Sequence, residues 1–214
     1  MRREQAPALR TLSLNAPPVT QTYDTRIIKE ETMDFSTESY RVFELFKKNW
    51  ALVTAGTMEA HNACTIGWGS MGTAWTRPGH SGHTITVYIH PGRDTQEFMQ
   101  RSDTFTVSFF PAQHRDALNY MGTHSGRQGD KATAAGLTPV AMGEGVTYAE
   151  AELTFLCRTL YRAPLQRDAL AAEVQEYYRA YPTVYPVDET GEWQPHWIYV
   201  GEVVDVQDRR DTDV

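Results

Sequence analysis

The chain has 214 residues, 41% hydrophobic and 22% charged, and a formal net charge of -7. An acidic chain has no general attraction for phosphate backbones, which argues against nucleic acid as a partner. Its two distant cysteines, Cys64 and Cys157, form neither a CxxC pair nor a cysteine-built zinc site, and they suit a reducing compartment.

Taken in chain order, residues 1–30 are rich in proline and polar residues without periodicity. They read as an extended or disordered arm, with a domain over 31–207 and a charged tail at 208–214. The charged start is followed by no apolar h-region, and no run approaches the roughly 18 residues of a membrane helix. A cytoplasmic protein is therefore expected, without leader or membrane anchor. Ser36 or Thr37 caps a short helix with Val42, Leu45 and Phe46 on its apolar face. Trp50 to Ala55 reads as a strand stopped by Gly56, and Asn62 to Gly69 as a second extended piece.

Thr84 to His90 alternates, with Ile85, Val87 and Ile89 on one face, as a half-buried strand does. Asp94 starts a helix, with Glu97 completing a capping-box-like pattern and Phe98 and Met99 as anchors. Phe105, Val107 and Phe109 mark the next strand. Pro111 opens a helix built on Leu118 and Met121, residues 122–129 form a loop, and a short helix from Asp130 ends at Gly136. Leu153, Phe155 and Cys157 share a strand face, Ala169 to Arg179 is helical, and Trp197 to Val206 is the last strand. Strands with few βαβ units predict a mostly β chain, a barrel with α decorations.

Three segments can carry chemistry, and each leaves two readings open. Asn62-Ala63-Cys64-Thr65-Ile66-Gly67-Trp68-Gly69 is either a strand edge facing a flat hydrogen-bonding ring or a bulged barrel strand with a core tryptophan. Pro91-Gly92-Arg93-Asp94-Thr95 is either a phosphate site at a helix N-terminus or a capped helix beside an exposed arginine. Ser125-Gly126-Arg127-Gln128-Gly129-Asp130-Lys131 is a glycine-rich polar loop without Walker A spacing. His80, His83 and His90 lie close in sequence but lack the acidic partners of a metal centre, so no metal is expected. Cys64 reads as a small buried strand residue rather than a nucleophile.

Together and in this order, the segments resemble the flavin reductase-like, FMN-binding split-barrel family, which includes the flavoredoxins. The resemblance runs over roughly residues 35 to 206. It is carried by Asn49 to Gly56, Asn62 to Gly69, Pro91 to Thr95, Ser108-Phe109-Phe110, Gly122 to Arg127 with Asp130-Lys131, Gly136-Leu137-Thr138-Pro139, and His196 to Val203. It implies a six-stranded antiparallel split barrel, a homodimer, and FMN near the subunit interface.

The resemblance also implies site residues. Asn62, Ala63, Cys64 and Thr65 line the isoalloxazine, followed by Trp68 and Gly69. Arg93 and Thr95 meet the phosphate. Ser125, Gly126, Arg127 and Lys131 belong to a closing loop, and His196 opens the last strand beside the site. It implies hydride transfer from NADH or NADPH, or delivery from a redox partner, and a small-molecule or protein electron acceptor; a non-catalytic flavin-binding module of the same fold and a pyridoxamine-phosphate-oxidase-like enzyme are the alternatives. No protein acid or base is required, so no catalytic residue is named. The chain departs from the pattern at Ala63-Cys64-Thr65 and in the polar loop Thr76 to His83, which is read as lying near the ring or its nicotinamide side.

Overall fold

The computed structural model describes residues 35–181, 185, 187 and 189–210. The expected arm at 1–30 and the end of the expected tail lie outside them. A short 3₁₀ turn at Phe35–Thr37 and a wide π-type turn at Glu44–Asn49 lead into the first strand. Leu45 and Phe46 face inward as their spacing predicts, whereas Phe43 stays on the surface.

The strands are β1 (Ala51–Gly56), β2 (His61–Ile66), β3 (Gly69–Thr73), β4 (His83–Ile89) and β5 (Thr104–Phe109), then β6 (Pro139–Met142), β7 (Gly145–Tyr148), β8 (Leu153–Pro164) and β9 (Trp197–Asp208). The helices are α1 (Asp94–Arg101), α2 (Arg115–Thr123), α3 (Lys131–Ala134) and α4 (Ala172–Arg179).

Seven strands form one antiparallel sheet in the order β2-β1-β5-β8-β9-β4-β3, and β6 and β7 make a separate hairpin. This corrects the expected six-stranded barrel. The extended piece expected at Asn62 to Gly69 breaks at Gly67-Trp68 and resumes as β3, which pairs with β4 at the opposite edge. No pairing joins β2 to β3 among the described residues, so the sheet does not close.

It must nevertheless roll. Ile66 and Gly69 are three Cα steps apart, at most about 11 Å. A flat seven-strand sheet would hold its edges roughly 29 Å apart, at about 4.8 Å per strand. The short linker Gly67-Trp68 therefore draws the two edges together.

Burial follows the roll. Val53, Ile85, Val87, Phe105, Phe109, Phe155 and Tyr199 fill the inner core. Leu52, Ala63, Phe110, Leu118, Met121 and Tyr148 form a second core, where α2, α3 and β7 cover the outer face of β1. Burial on both faces explains why β1 reads as a continuous apolar run rather than an alternating one. Gly201 permits the tightest packing of β9: a Cβ there would lie 2.6 Å from the Phe105 ring and 2.7 Å from Cys157. The β6–β7 hairpin was not anticipated, since its strands are only four residues each and turn at Gly143.

Candidate functional site

A cavity of about 560 Å³ opens where β2 ends. Five consecutive residues line it, Cys64 to Trp68. Neighbouring strand side chains point to opposite faces, so an unbroken run along one wall means that the strand edge itself is presented. β2 is an outer strand of the sheet, and an outer strand carries a row of N–H and C=O groups without a strand partner. The Thr65 hydroxyl donates to the Leu118 carbonyl at 2.6 Å, tying this edge to α2. Among the described residues Arg93 is the one charged residue of the lining, and none there is a carboxylate.

The three segments singled out in the sequence meet beside this edge. The Thr95 hydroxyl donates to Asn62 Oδ1 at 2.9 Å, and both side chains are buried. Gly126 lies flush on Asn62: a Cβ there would overlap the Asn62 side-chain amide. The Ser125 hydroxyl donates to Asp94, and Arg127 pairs with Asp94 at 3.0 Å and with Glu97. Asp94 is the first helical residue, with Arg93 at the cap position. Its carboxylate therefore anchors the loop rather than capping the helix. Partial burial pushes the Asp94 carboxyl up, but Ser125, Arg127 and Lys131 outweigh this and hold it below the usual carboxylate value. Lys131 donates to the His124 carbonyl at 3.3 Å, and burial lowers its ammonium from the usual lysine value. Asp130 caps α3, accepting from the backbone N–H groups of Ala132 and Thr133.

The far wall is aromatic. Trp68 lies 4.5 Å from His196 between ring centroids, and His90 and Tyr185 stand 5.2 and 5.8 Å from the same imidazole. Tyr178 and Trp193 back Tyr185 at 4.4 and 6.2 Å. Burial, then the proximity of His90 and Arg93, pushes His196 down to about 4, so its imidazole is neutral at pH 7. The Gly92 N–H donates to His90 Nδ1 at 3.0 Å, which leaves the proton of the neutral ring on Nε2.

The cavity thus gathers Cys64, Thr65, Trp68, Arg93 and His196. It does not gather Ala63, which is buried in the second core, or Gly69, which starts β3 against the Phe46 ring. Ser125, Gly126, Arg127 and Lys131 stand behind the Asn62–Thr95 pair. The Thr95 hydroxyl is committed to Asn62. Sequence reading missed Tyr88, Tyr185 and Asp94 as site residues. Only an aromatic-rich stretch before His196 hinted at Tyr185. His90 was weighed only as a metal ligand, yet it lines the cavity, while His80 pairs with Glu202 and His83 lies against Phe35. Among the described residues no three His, Cys, Asp or Glu side chains converge as a metal site. Cys64 and Cys157 are both free and buried, and burial raises both thiols.

The sequence profile described as flavin reductase like domain matches residues 43–213. No curated protein matches the chain. Among solved structures, an FMN-binding protein from Thermus thermophilus with bound 1-cyclohex-2-enone is 21% identical, with 80% of each chain covered and a TM-score of 0.55. Flavoredoxin from Methanosarcina acetivorans is 16% identical, with 78% of this chain and 70% of that one covered and a TM-score of 0.54. Nitrilotriacetate monooxygenase component B from Bacillus cereus is 15% identical, with 90% and 83% covered and a TM-score of 0.55. At these identities the likeness is one of fold. The match over residues 43–213 carries the assignment: the chain belongs to the flavin reductase like domain family.

Proposed function

We propose that the protein is an FMN-dependent oxidoreductase, acting as a cytoplasmic homodimer. It passes electrons from NADH, NADPH or a redox partner to a small-molecule or protein acceptor. The observation that carries this reading is the open edge of β2 forming one wall of a cavity whose lining, among the described residues, has an arginine and no carboxylate. A flavin needs this donor set: backbone groups for its pyrimidine edge and a cation for its phosphate. The Thermus thermophilus relative is described as FMN-binding, and the same cofactor is inferred for this chain.

When bound, FMN supplies a ring that accepts and releases hydride. The chain's own residues would hold and orient it. The Thr65–Gly67 edge would meet the pyrimidine edge. Arg93 would meet the phosphate, with Arg127 and Lys131 offsetting Asp94 and Glu97 nearby. Asn62, fixed by Thr95 and by the close approach of Gly126, would keep the edge in register. Trp68 and His196 would stand on the other side of the cavity from this edge.

The test is an absorbance spectrum of protein desalted after addition of FMN, followed by anaerobic NADH and NADPH. Retained flavin bands that bleach with a nicotinamide support the reductase. Retained bands that do not bleach redirect the reading to a carrier fed by a protein partner, or to a flavin-binding module without turnover. Loss of the bands on desalting, with no affinity in titration, overturns FMN as the cofactor.

A further inference from the structure

A second cavity, of about 400 Å³, opens at the other end of β4. The segment from Phe35 to Val42 forms one side of it, and Met71, Ile85, Phe155 and Val203 supply apolar walls from four strands. The described linings of this cavity and of the one beside β2 share no residue.

Two polar groups reach into these apolar surroundings. Side chains alternate along a strand, so His83 continues the inward row of Ile85, Val87 and Ile89, all three of which are buried apolar groups. Its ring stands edge-on to Phe35 at 5.4 Å between centroids. Tyr40 comes from the opposite side and stands edge-on to Phe155 at 5.2 Å. Both His83 and Tyr40 line the cavity. The Tyr40 hydroxyl and His83 Nδ1 are shut off from solvent, and among the described residues neither has a hydrogen-bond partner. Protein interiors rarely leave such atoms unpaired. Two of them in the lining of one apolar cavity match the make-up of a ligand site, with apolar walls and a few polar groups that fix orientation.

The charges nearby narrow the choice of ligand. Glu38 in the lining and Asp208 beside Tyr40 disfavour an anion. Arg210, whose guanidinium lies 5.3 Å from the Tyr40 ring centroid, disfavours a cation. Burial, then the Asp208 charge, pushes the Tyr40 phenol up to about 12, so at pH 7 it keeps its proton and can donate. The volume holds roughly a dozen non-hydrogen atoms, at the ~30 Å³ that one water takes in the liquid.

We infer that this cavity is a binding site for an uncharged aliphatic alcohol of medium chain length, a site separate from the flavin reading and independent of it. The alcohol oxygen accepts from the Tyr40 hydroxyl and pairs with His83 Nδ1, and the chain lies on Met71, Ile85, Phe155 and Val203. One hydroxyl serves both atoms because it carries a donor and two acceptor lone pairs.

The experiment titrates the full chain by calorimetry with 1-octanol, octanoate and octylamine, the last an ammonium ion at pH 7. The expected result is that 1-octanol binds more tightly than either charged probe by about tenfold or more. Tyr40→Phe should weaken 1-octanol about tenfold. Its unfolding midpoint without 1-octanol should not fall, because the hydroxyl it removes has no partner to lose. That split separates a ligand contact from a structural one. Saturating FMN should leave 1-octanol affinity within about twofold, since the two linings are separate.

No binding of 1-octanol, or equal binding of the three probes, overturns the inference. So does Tyr40→Phe that binds 1-octanol like wild type, or whose midpoint falls, which would show the hydroxyl already partnered. Displacement of 1-octanol by FMN places the alcohol in the cavity beside β2 and overturns the inference as well. The wild-type ranking and the FMN competition need no variant to fold. Protein that takes no FMN loses the flavin reading alone, and the ranking of the three probes still decides this one.

Discussion

The two ends of β4 solve opposite problems. At the His83 end, Glu202 of β9 pairs across from Thr84 and is almost fully buried. Its Oε2 takes Arg77 at 3.3 Å, His80 at 3.1 Å and Arg158 of β8, while Oε1 is buried without a hydrogen-bond partner. Burial pushes the Glu202 carboxyl up, and the Arg158 and His80 hydrogen bonds with the His80 and Arg77 charges more than reverse it. At the Ile89 end the charges stay at the rim and the walls are neutral rings. One end spends its charges on itself and fastens the loop over residues 76–83. The other leaves an arginine and a strand edge for a ligand.

This comparison moves the polar loop Thr76 to His83 away from the expected ring side. It joins β4 at the end opposite the cavity, roughly 20 Å along the strand at about 3.3 Å per residue. The loop is stitched by Ala74 donating to Gly82 at 2.8 Å and by the Arg77–His80 bridge. Closely spaced histidines thus serve different ends of one strand, His80 in a charge cluster and His90 in the cavity wall.

The comparison can be broken first at the charged end. Glu202→Ala leaves Arg77 and Arg158 without their shared carboxylate. The loss should be about 3 kcal/mol, at the low end for broken buried pairs because both arginines are partly exposed. Denaturant unfolding reads it, and FMN affinity should stay within about twofold. A large fall in FMN affinity would show that the two ends are not independent.

At the cavity end the expected effects shrink. Thr95→Val leaves Asn62 Oδ1 buried without its donor and should cost about 2 kcal/mol of stability, with weaker FMN binding as a consequence. An unchanged unfolding midpoint would remove the Asn62–Thr95 pair from the site's framework. Arg93→Ala touches the rim only. It should weaken FMN about tenfold, near 1.4 kcal/mol, without moving the midpoint. FMN titration showing equal affinity would strike Arg93 from the phosphate site.

The smallest effect is a pH dependence at His196. Its folded value, about 4, lies below the usual 6.5, so the folded chain binds fewer protons than the unfolded one between these values. The stability it contributes is present above pH 6.5 and fades as pH falls toward 4. Solvent screening at a partly exposed ring should keep the loss on the order of 1 kcal/mol or less. Unfolding curves across that window, compared with His196→Asn, check the sign: the variant should lose less stability on acidification than wild type.

Much of this molecule was written in local pattern. The alternation of Ile85, Val87 and Ile89 fixes β4, Leu118 and Met121 set the buried face of α2, and Asp130 with Gly136 bounds α3, because each is decided by neighbours a few residues away. The order of the motifs around Asn62, Arg93 and Ser125 was enough to point to the family. Strand count was not local. Whether Gly69 ends one strand or begins another depends on β4, which pairs with it from more than ten residues along the chain. Nor was the aromatic wall legible, since Trp68, His90, Tyr185 and His196 come together only when the sheet rolls and the β8–β9 excursion folds back. Sequence by itself determined which segments are buried and to which family the chain belongs. The tertiary structure decided which of them share a cavity, because that follows from the curl of the sheet and not from spacing along the chain.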